Sequence, residues 1–203
     1  MKIICIGLNY KSHIEELHKA VPEKPVFFLK PETALTTRNR PFFYPDFSKN
    51  IHYEVELVVK INKLGKHIQK KFAHTYYDEI GLGIDFTARD IQAEVFKNAL
   101  PWEISKAFDG SAVVNRFLPK NHFENLGNLN FSLLKNKQLV QQGNTADMLF
   151  NVDEIIEHVS QFITLKIGDL IFTGTPCGIG SVEIGDELEG YLEGEQMFRC
   201  RIK

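Results

Sequence analysis

Three acidic residues are the first candidates for chemistry in this chain. Glu54 and Glu56 lie in a segment of alternating apolar and polar residues, and Asp85 follows another short apolar run. Residues i and i+2 of a strand share a face, so the two glutamates would stand side by side and raise each other's pKa unless a cation lies between them. A hard divalent cation with oxygen ligands would resolve that repulsion. The same spacing also fits a solvent-facing strand with two ordinary glutamates.

A second polar group follows Asp85 along the chain. Counted along a helix, Asp85, Arg89 and Gln92 fall at positions i, i+4 and i+7 and would share one stripe. Arginine holds a planar carboxylate through two hydrogen bonds, so this stripe could combine a metal ligand with two substrate contacts. The alternative is a capped surface helix that carries an Asp–Arg pair.

A lysine and a histidine are further candidates. Lys106 lies in the segment Trp-Glu-Ile-Ser-Lys-Ala-Phe, whose apolar residues would desolvate its ammonium group near developing negative charge. His13 and Glu16 are three residues apart in a polar, weakly helical stretch, a spacing that lets a carboxylate orient an imidazole as a general base toward water. Each also fits an ordinary surface position, and His18 competes with His13 for this role.

A glycine-rich loop at residues 173–180 follows a short apolar run. Such a loop brings backbone N–H groups and hydroxyls close to an oxyanion of a ligand. It lacks the Gly-Lys-Ser/Thr of a phosphate-binding loop, so a nucleotide ligand is not indicated.

The elements that must position these residues are mostly strands. Short apolar runs at 3–8 and 26–29, and the strict alternation over 52–61, predict strands. Residues 129–142 predict a hairpin that turns near 135–137, and the last forty residues predict strands separated by turns.

Two helices are predicted from capping signals. The first follows a strand over 80–86, with Thr87 as its N-cap, Asp90 as the acidic partner of a capping box, and Ile91, Val95 and Ala99 on the buried side. The second has Asn151 as N-cap and Glu154 at the third position, followed by an apolar stripe. A mixed α/β fold that is predominantly β, with a few covering helices, fits this order better than a doubly wound sheet.

Composition excludes several classes of protein. The 203 residues are 43% apolar and 25% charged, which argues against disorder and coiled coil. A net charge of −2 gives no basic excess, so no nucleic-acid partner is expected, and no apolar run is long enough to span a membrane. Three cysteines without a C-x-x-C pair favour a reduced, cytoplasmic protein.

The motifs together resemble the fumarylacetoacetate hydrolase family, in particular its small acylpyruvase and oxaloacetate decarboxylase branch. The strings E-x-E at 54–56, D-x-T-A-R-D-x-Q at 85–92 and G-D-x-I-x-T-G-T-P at 168–176 occur in this order, with G-L-N-Y at 7–10, F-L-K-P at 28–31 and K-A-F-D at 106–109. One departure is Leu8, where some relatives carry an arginine.

The resemblance implies a fold, a metal and site residues. It implies a β-sandwich roll forming one catalytic domain over 1–203, with an N-terminal lid around 11–24, and usually a homodimer. It implies Mg²⁺ or Mn²⁺, with a net charge near −1 once one ion meets three carboxylates. The implied roles are these: metal ligands Glu54, Glu56 and Asp85; substrate contacts Arg89, Gln92 and Thr175; catalytic residues His13, Glu16 and Lys106.

The expected activity is metal-dependent cleavage of acylpyruvates, such as fumarylpyruvate or acetylpyruvate, to pyruvate and a carboxylic acid. Decarboxylation of oxaloacetate is an expected second activity. An isomerase or tautomerase of 2-hydroxy-dienoates or oxaloacetate would use the same metal site with proton transfer in place of bond cleavage. A non-catalytic module that binds a small ligand is the alternative of another class.

Overall fold

Strands form most of the structure, a computed structural model that describes residues 1–203. Fourteen of them are arranged in three sheets of seven, four and three strands. In chain order they are β1 Ile3–Gly7, β2 Val26–Lys30, β3 Leu35–Thr36, β4 Ile51–Tyr53, β5 Val55–Ile61, β6 Tyr77–Asp85, β7 Thr87–Ala88, β8 Ala112–Pro119, β9 Asn130–Lys135, β10 Gln138–Asn144, β11 Leu170–Phe172, β12 Gly180–Ser181, β13 Glu187–Leu192 and β14 Glu195–Arg201.

Five short helices cover the sheets. They are α1 Lys11–Glu16, α2 Lys70–Ala73, α3 Arg89–Lys97, α4 Glu103–Lys106 and α5 Val152–Phe162. None is long and apolar enough to cross a membrane. The predominantly β fold with few helices confirms the fold class predicted from the sequence.

The order of the seven-stranded sheet explains why distant residues meet. That order is β2-β1-β11-β5-β6-β8-β3. Strand β11 is parallel to β1 and antiparallel to β5, and β6 is antiparallel to β5. The last residues of β1, β11 and β6 therefore lie at the same edge of the sheet as the first residues of β5.

Strand β5 is buried on both faces. One face carries Leu57 and Val59 into a core cluster of 35 residues. The other carries Val58 into a second cluster of 8 residues that includes Ile3 and Phe172. The two glutamates that share a face with Val58 are therefore not on a solvent-facing strand, which was the alternative left open by their spacing.

The capping prediction was wrong for the first helix. Thr87 and Ala88 form β7, which pairs with β4, so α3 begins only at Arg89 and no side chain caps it. The Thr87 hydroxyl instead donates to Glu54 Oε1 over 3.1 Å. Helix α3 buries Val95 but ends at Lys97, and Ala99 lies beyond it with a positive φ of 51° and is exposed.

The second helix has the predicted start. The Asn151 side chain accepts from the Glu154 N–H, and the Glu154 side chain accepts from the Asn151 N–H, which forms a capping box before α5. The hairpin β9–β10 also turns where predicted, with Asn136 and Lys137 at positive φ.

Candidate functional site

Three carboxylates converge at the sheet edge described above. Glu54 lies between β4 and β5, Glu56 is the second residue of β5, and Asp85 ends β6. The Asp85 N–H donates to the Glu54 carbonyl over 2.9 Å, which fixes the two residues side by side. One oxygen from each of the three side chains lies within 4.8 Å of the others, and their exposed fractions are 5%, 2% and 1%.

Three cations balance these carboxylates, of which Lys30 and Lys106 are buried and Arg89 is partly buried. The Lys106 ammonium donates to Glu54 Oε2 over 2.8 Å and to Asp85 Oδ2 over 2.9 Å. Arg89 pairs with Glu54, and the Lys30 ammonium lies against Asp85. The expectation of a net negative site was therefore wrong, because it counted only the carboxylates and the metal.

The surroundings of Glu54 and Glu56 shift the pKa values of the two carboxyl groups in opposite directions. Burial alone would raise the pKa of Glu54, but Lys106 and Arg89 outweigh burial and hold that pKa well below its usual range. For Glu56, burial raises the pKa well above its usual range, and the charges of Asp85 and Glu54 raise it further. Glu56 therefore lacks the counter-charge that Glu54 has.

A divalent cation fits this arrangement. Carboxylate oxygens bind Mg²⁺ at roughly 2.0–2.1 Å, so three oxygens that lie within 4.8 Å of one another would need to close toward a shared ion. Asp85 Oδ1 is buried and accepts no hydrogen bond, because the Lys30 ammonium beside it donates to the Phe86 carbonyl and to Ser111. An all-oxygen set suits Mg²⁺, Mn²⁺ or Ca²⁺ rather than a soft metal.

The predicted histidine–glutamate pair is formed on α1. His13 Nδ1–H donates to Glu16 Oε2 over 3.0 Å, and the His13 side chain is almost fully buried. A carboxylate only accepts, so Nδ1 carries the proton and Nε2 keeps its lone pair in the neutral ring. Glu16 Oε1 also accepts from the Gly178 N–H over 3.0 Å, which fastens α1 to the glycine-rich loop. His18 is exposed and does not compete.

Arg89 and Gln92 lie on one face of α3, as their spacing predicted. The Arg89 guanidinium donates to Gln92 Oε1 and to Glu54 Oε1, while its Nε–H is buried without a partner. Asp85 is not on this helix, so the shared helical stripe of all three residues was a wrong premise. The sheet edge brings them together instead.

A cavity of about 490 Å³ joins these groups. Six of the predicted site residues line it: His13, Glu54, Asp85, Arg89, Gln92 and Lys106. Glu16 and Glu56 do not line the cavity themselves. Glu16 accepts a hydrogen bond from His13, which lines it, and Glu56 lies beside Glu54, which also lines it. The cavity therefore has a base, an ammonium and a carboxylate cluster around one volume.

Thr175 is placed differently from its predicted role. It is 3% exposed and is not among the residues that line the cavity. Its hydroxyl accepts from Gln141 Nε2 over 2.9 Å, and Gln141 Oε1 accepts from the Val55 N–H, so Thr175 braces the start of β5. The same loop also supplies the Gly174 N–H to Glu56 Oε2 over 2.7 Å.

Gly174 is required at its position. Its φ is +97°, a conformation that L side chains rarely adopt, and a Cβ there would lie 2.7 Å from the Asn9 Cβ. This glycine allows the loop to approach both the β1 end and the Glu56 carboxylate.

Lys30 is a site residue that the sequence reasoning missed. It ends β2 and is 1% exposed, with its ammonium 2.5 Å from Asp85 Oδ1. A signal was present, because period two puts Lys30 on the face of β2 that carries Val26 and Phe28, both of which line the cavity. Lys30 therefore contacts the carboxylate cluster through Asp85.

We expect Lys30→Met to destabilise the metal-free protein by roughly 3–5 kcal/mol, because it removes one of the two buried ammonium groups that pair with the buried Asp85 carboxylate. Urea unfolding of the metal-stripped protein measures this. The matched control is Lys60→Met, whose pair with Glu79 is half-exposed and should contribute about 1 kcal/mol or less. Equal losses in the two variants would remove Lys30 from the account.

Comparison with known proteins gives one matching family model and several similar chains. The family model is described as fumarylacetoacetate (FAA) hydrolase C-terminal, and it matches residues 2–203. The chain is 40% identical over 201 residues to the mitochondrial oxaloacetate tautomerase FAHD1 of Mus musculus, a match that covers 99% of this chain and 91% of the relative. It is 38% identical over 194 residues to the mitochondrial oxaloacetate decarboxylase of Dictyostelium discoideum, with 95% and 89% covered.

A solved structure supports the same conclusion. The fumarylpyruvate hydrolase of Pseudomonas aeruginosa, in complex with Mn²⁺ and pyruvate, is 33% identical to this chain and superposes with a TM-score of 0.94. The match covers 100% of this chain and 89% of that one. Sequence and fold therefore agree over essentially the whole chain.

Proposed function

Because the chain belongs to the fumarylacetoacetate hydrolase family, we propose that it cleaves acylpyruvates to pyruvate and a carboxylic acid with the help of a divalent metal ion. The observation that carries this proposal is the shared cavity: His13, held by Glu16, lines the same volume as Lys106 and two of the three carboxylates. That arrangement pairs a base for water with groups suited to an enolate.

The metal site in this proposal consists of Glu54, Glu56 and Asp85. When bound there, Mg²⁺ or Mn²⁺ supplies Lewis-acid polarisation of the 2-keto group of the substrate. Support comes from the buried oxygen cluster and from the Mn²⁺ and pyruvate named for the Pseudomonas aeruginosa relative.

Charge complementarity favours an enolate at this site. The three carboxylates and the three cations described above balance, so a divalent ion leaves two positive charges in excess. The enolate of pyruvate, with its carboxylate, carries two negative charges. In a buried site such complementarity acts on the charge that develops in the transition state.

The residues of the chain divide the reaction between them. Arg89 and Gln92, which both line the cavity, hold the substrate carboxylate. His13 Nε2 takes a proton from water as the water oxygen bonds to C4, and Glu16 steadies the imidazolium through Nδ1–H. Addition of water leaves the C4 oxygen as an oxyanion; as the C4 carbonyl re-forms, the C3–C4 bond breaks, its electron pair forms the C2–C3 double bond of the enolate, and the carboxylic acid leaves. The proton held by the His13 imidazolium then passes to C3 and gives pyruvate.

Lys106 stabilises the enolate oxygen. Two of its three donor hydrogens are directed to Glu54 and Asp85, which leaves one for a ligand in the cavity. Burial alone would lower the pKa of Lys106, but the neighbouring Asp85 and Glu54 raise it above its usual range. The lysine therefore acts as a cation and donor rather than as a base.

A second candidate function is keto–enol tautomerisation of oxaloacetate, which the Mus musculus relative favours by its name. The same enolate-stabilising groups would act, and His13 would move a proton at C3 instead of activating water. Decarboxylation of oxaloacetate, named for the Dictyostelium discoideum relative, would again give the pyruvate enolate.

Product analysis tests the proposal. The protein with Mn²⁺ is incubated with acetylpyruvate and, separately, with enol-oxaloacetate, and pyruvate, acetate and the enol absorbance are followed. We expect equimolar pyruvate and acetate from acetylpyruvate. Loss of the enol absorbance without cleavage of acetylpyruvate would replace hydrolysis with tautomerisation.

The homodimer and a lid over residues 11–24 are further proposals that rest on the same resemblance, and a cytoplasmic location is a proposal that rests on the three cysteines without a C-x-x-C pair. The lid gains support from two contacts between α1 and the glycine-rich loop: the Gly178 N–H donates to Glu16 Oε1 over 3.0 Å, and the Cys177 N–H donates to Ser12 Oγ over 3.5 Å. Size-exclusion chromatography with light scattering checks the dimer.

A further inference from the structure

The cavity continues beyond the reacting groups along a wall of aromatic rings. The Lys106 ammonium lies 5.1 Å from the centroid of the Phe28 ring. The Phe28 and Trp102 rings are 5.9 Å apart, and the Trp102 and Phe96 rings are 5.1 Å apart. The Lys19 ammonium then lies 5.4 Å over Phe96. This aromatic wall leads from the reaction centre to exposed Lys19 at the surface.

Helix α3 also lines the cavity with a polar residue near the reaction centre and apolar residues farther from it. Gln92, Val95 and Phe96 all line the cavity, and their spacing of three and four residues puts them on one helical stripe, while Ala99 lines it from beyond the end of α3. Along this stripe, over about 6 Å at 1.5 Å per residue, the polar residue comes first and the apolar ones follow. The stripe is therefore polar at the reaction centre and apolar away from it.

Charged groups are almost absent from the distal half of the cavity, the part that is lined by Val95, Phe96, Ala99, Leu100 and Trp102. The charged residues that line the cavity are Glu54, Asp85, Arg89 and Lys106 at the reaction centre, and Lys19, which is exposed. A second carboxylate on the substrate would find only this solvated ammonium, whose attraction in water is weak.

The apolar side chains of the distal half are not needed for the core. Phe96 is 39% exposed and Leu100 is 50% exposed, and neither belongs to either core cluster. Both line the cavity. Large apolar side chains that are exposed to solvent beside a reaction centre favour binding of an apolar ligand, because such a ligand removes their surface from water.

We propose that the distal half binds the acyl group of the substrate, and that this group is uncharged, apolar and larger than acetyl. The proposal rests on the proposed function for the placement of the 2-oxo acid at the carboxylate cluster. A volume of about 490 Å³ holds roughly sixteen water-sized groups, which is more than acetylpyruvate fills. A linear alkyl chain or a phenyl ring occupies the remainder against Phe28, Trp102 and Phe96.

Kinetics with a graded series of substrates test the preference. Acetyl-, butanoyl-, hexanoyl- and benzoylpyruvate are compared with fumarylpyruvate, whose acyl group ends in a carboxylate. We expect kcat/KM to rise about threefold per added methylene until the cavity is filled, so that hexanoylpyruvate, with four more methylenes than acetylpyruvate, exceeds it by up to about 80-fold. Cleavage of acetylpyruvate with no gain along the series would overturn the apolar acyl site and leave the proposed function standing.

A charge placed in the distal half should invert the preference. Leu100→Arg puts a cation at the exposed edge of the cavity, so we expect the ratio of kcat/KM for hexanoylpyruvate over fumarylpyruvate to fall at least about tenfold. Leu139→Arg is the matched control, because Leu139 is 59% exposed on β10 and does not line the cavity. The same fall in both variants would contradict the assignment of Leu100.

Binding separates this proposal from the proposed function. 2-Oxooctanoate and 2-oxoglutarate lack a C4 carbonyl, so they bind without being cleaved. Calorimetry in the presence of Mn²⁺ should show 2-oxooctanoate binding at least about tenfold more tightly, with the difference lost in Leu100→Arg. That result supports the apolar site even if no acylpyruvate is cleaved, and equal affinities would overturn it.

Discussion

Replacing Glu56 with alanine is expected to lower kcat/KM for acylpyruvate cleavage by roughly 10³-fold or more, because it removes one of the three proposed metal ligands. Glu56 is the cleanest of the three to test. Its carboxylate accepts one hydrogen bond, from the Gly174 N–H, and makes no ion pair with Lys106 or Arg89. The Glu54–Lys106–Asp85 contacts therefore remain in the variant.

The stability of the Glu56→Ala variant distinguishes a lost ligand from a lost fold. Burial and two neighbouring carboxylates raise the pKa of Glu56 well above its usual range, so its charged form is unfavourable in the metal-free protein. We expect the free energy of unfolding without metal to be close to that of the wild type. Glu79→Ala, which removes a half-exposed carboxylate from neighbouring β6, is the matched control and should retain activity. Undiminished turnover in Glu56→Ala would rule out the metal site.

Replacing His13 with alanine is expected to lower acylpyruvate hydrolysis by roughly 10²–10⁴-fold, the range typical of a general base. Decarboxylation of oxaloacetate needs no hydrolytic water, so its rate should fall far less. Pyruvate release from acetylpyruvate and from oxaloacetate, measured side by side, gives the two effects.

Two further variants control the experiment on His13. His18→Ala removes an exposed histidine of the same segment and should leave both activities intact. Glu16→Gln keeps a group able to accept from His13 Nδ1–H but removes the charge that steadies the imidazolium, so we expect a smaller loss of hydrolysis than in His13→Ala. Equal losses of hydrolysis and decarboxylation in His13→Ala would remove the dyad from the mechanism.

Alternation of apolar and polar residues, together with helix-capping residues, correctly predicted several local features of the structure. The alternation over residues 52–61 placed Glu54 and Glu56 on one face, and Asn151 with Glu154 marked the start of α5. Such patterns depend on neighbours a few residues away, and the local sequence records them fully. The resemblance then brought Asp85 and the His13–Glu16 pair into the same site.

Long-range pairing decided what the local sequence could not. Thr87 has the chemistry of an N-cap, but β7 pairs with β4 and turns its hydroxyl toward Glu54. The face of β5 that carries Glu56 could be solvent-exposed or buried, and only packing against Ile3 and Phe172 buries it. Lys30 reaches Asp85 across 55 positions of sequence, a contact that no local pattern encodes.

Calorimetric titration of the metal-stripped protein with Mn²⁺ most directly tests the central claim that Glu54, Glu56 and Asp85 form a metal site. We predict saturable binding of one ion per chain in the wild type. Loss of a residue that only supports a metal ligand typically lowers metal affinity roughly 10–100-fold. In Glu56→Ala, which would lose a ligand itself, we predict a larger fall in Mn²⁺ affinity. Absence of saturable binding in the wild type, or equal affinity in Glu56→Ala, would contradict a metal centre at Glu54, Glu56 and Asp85.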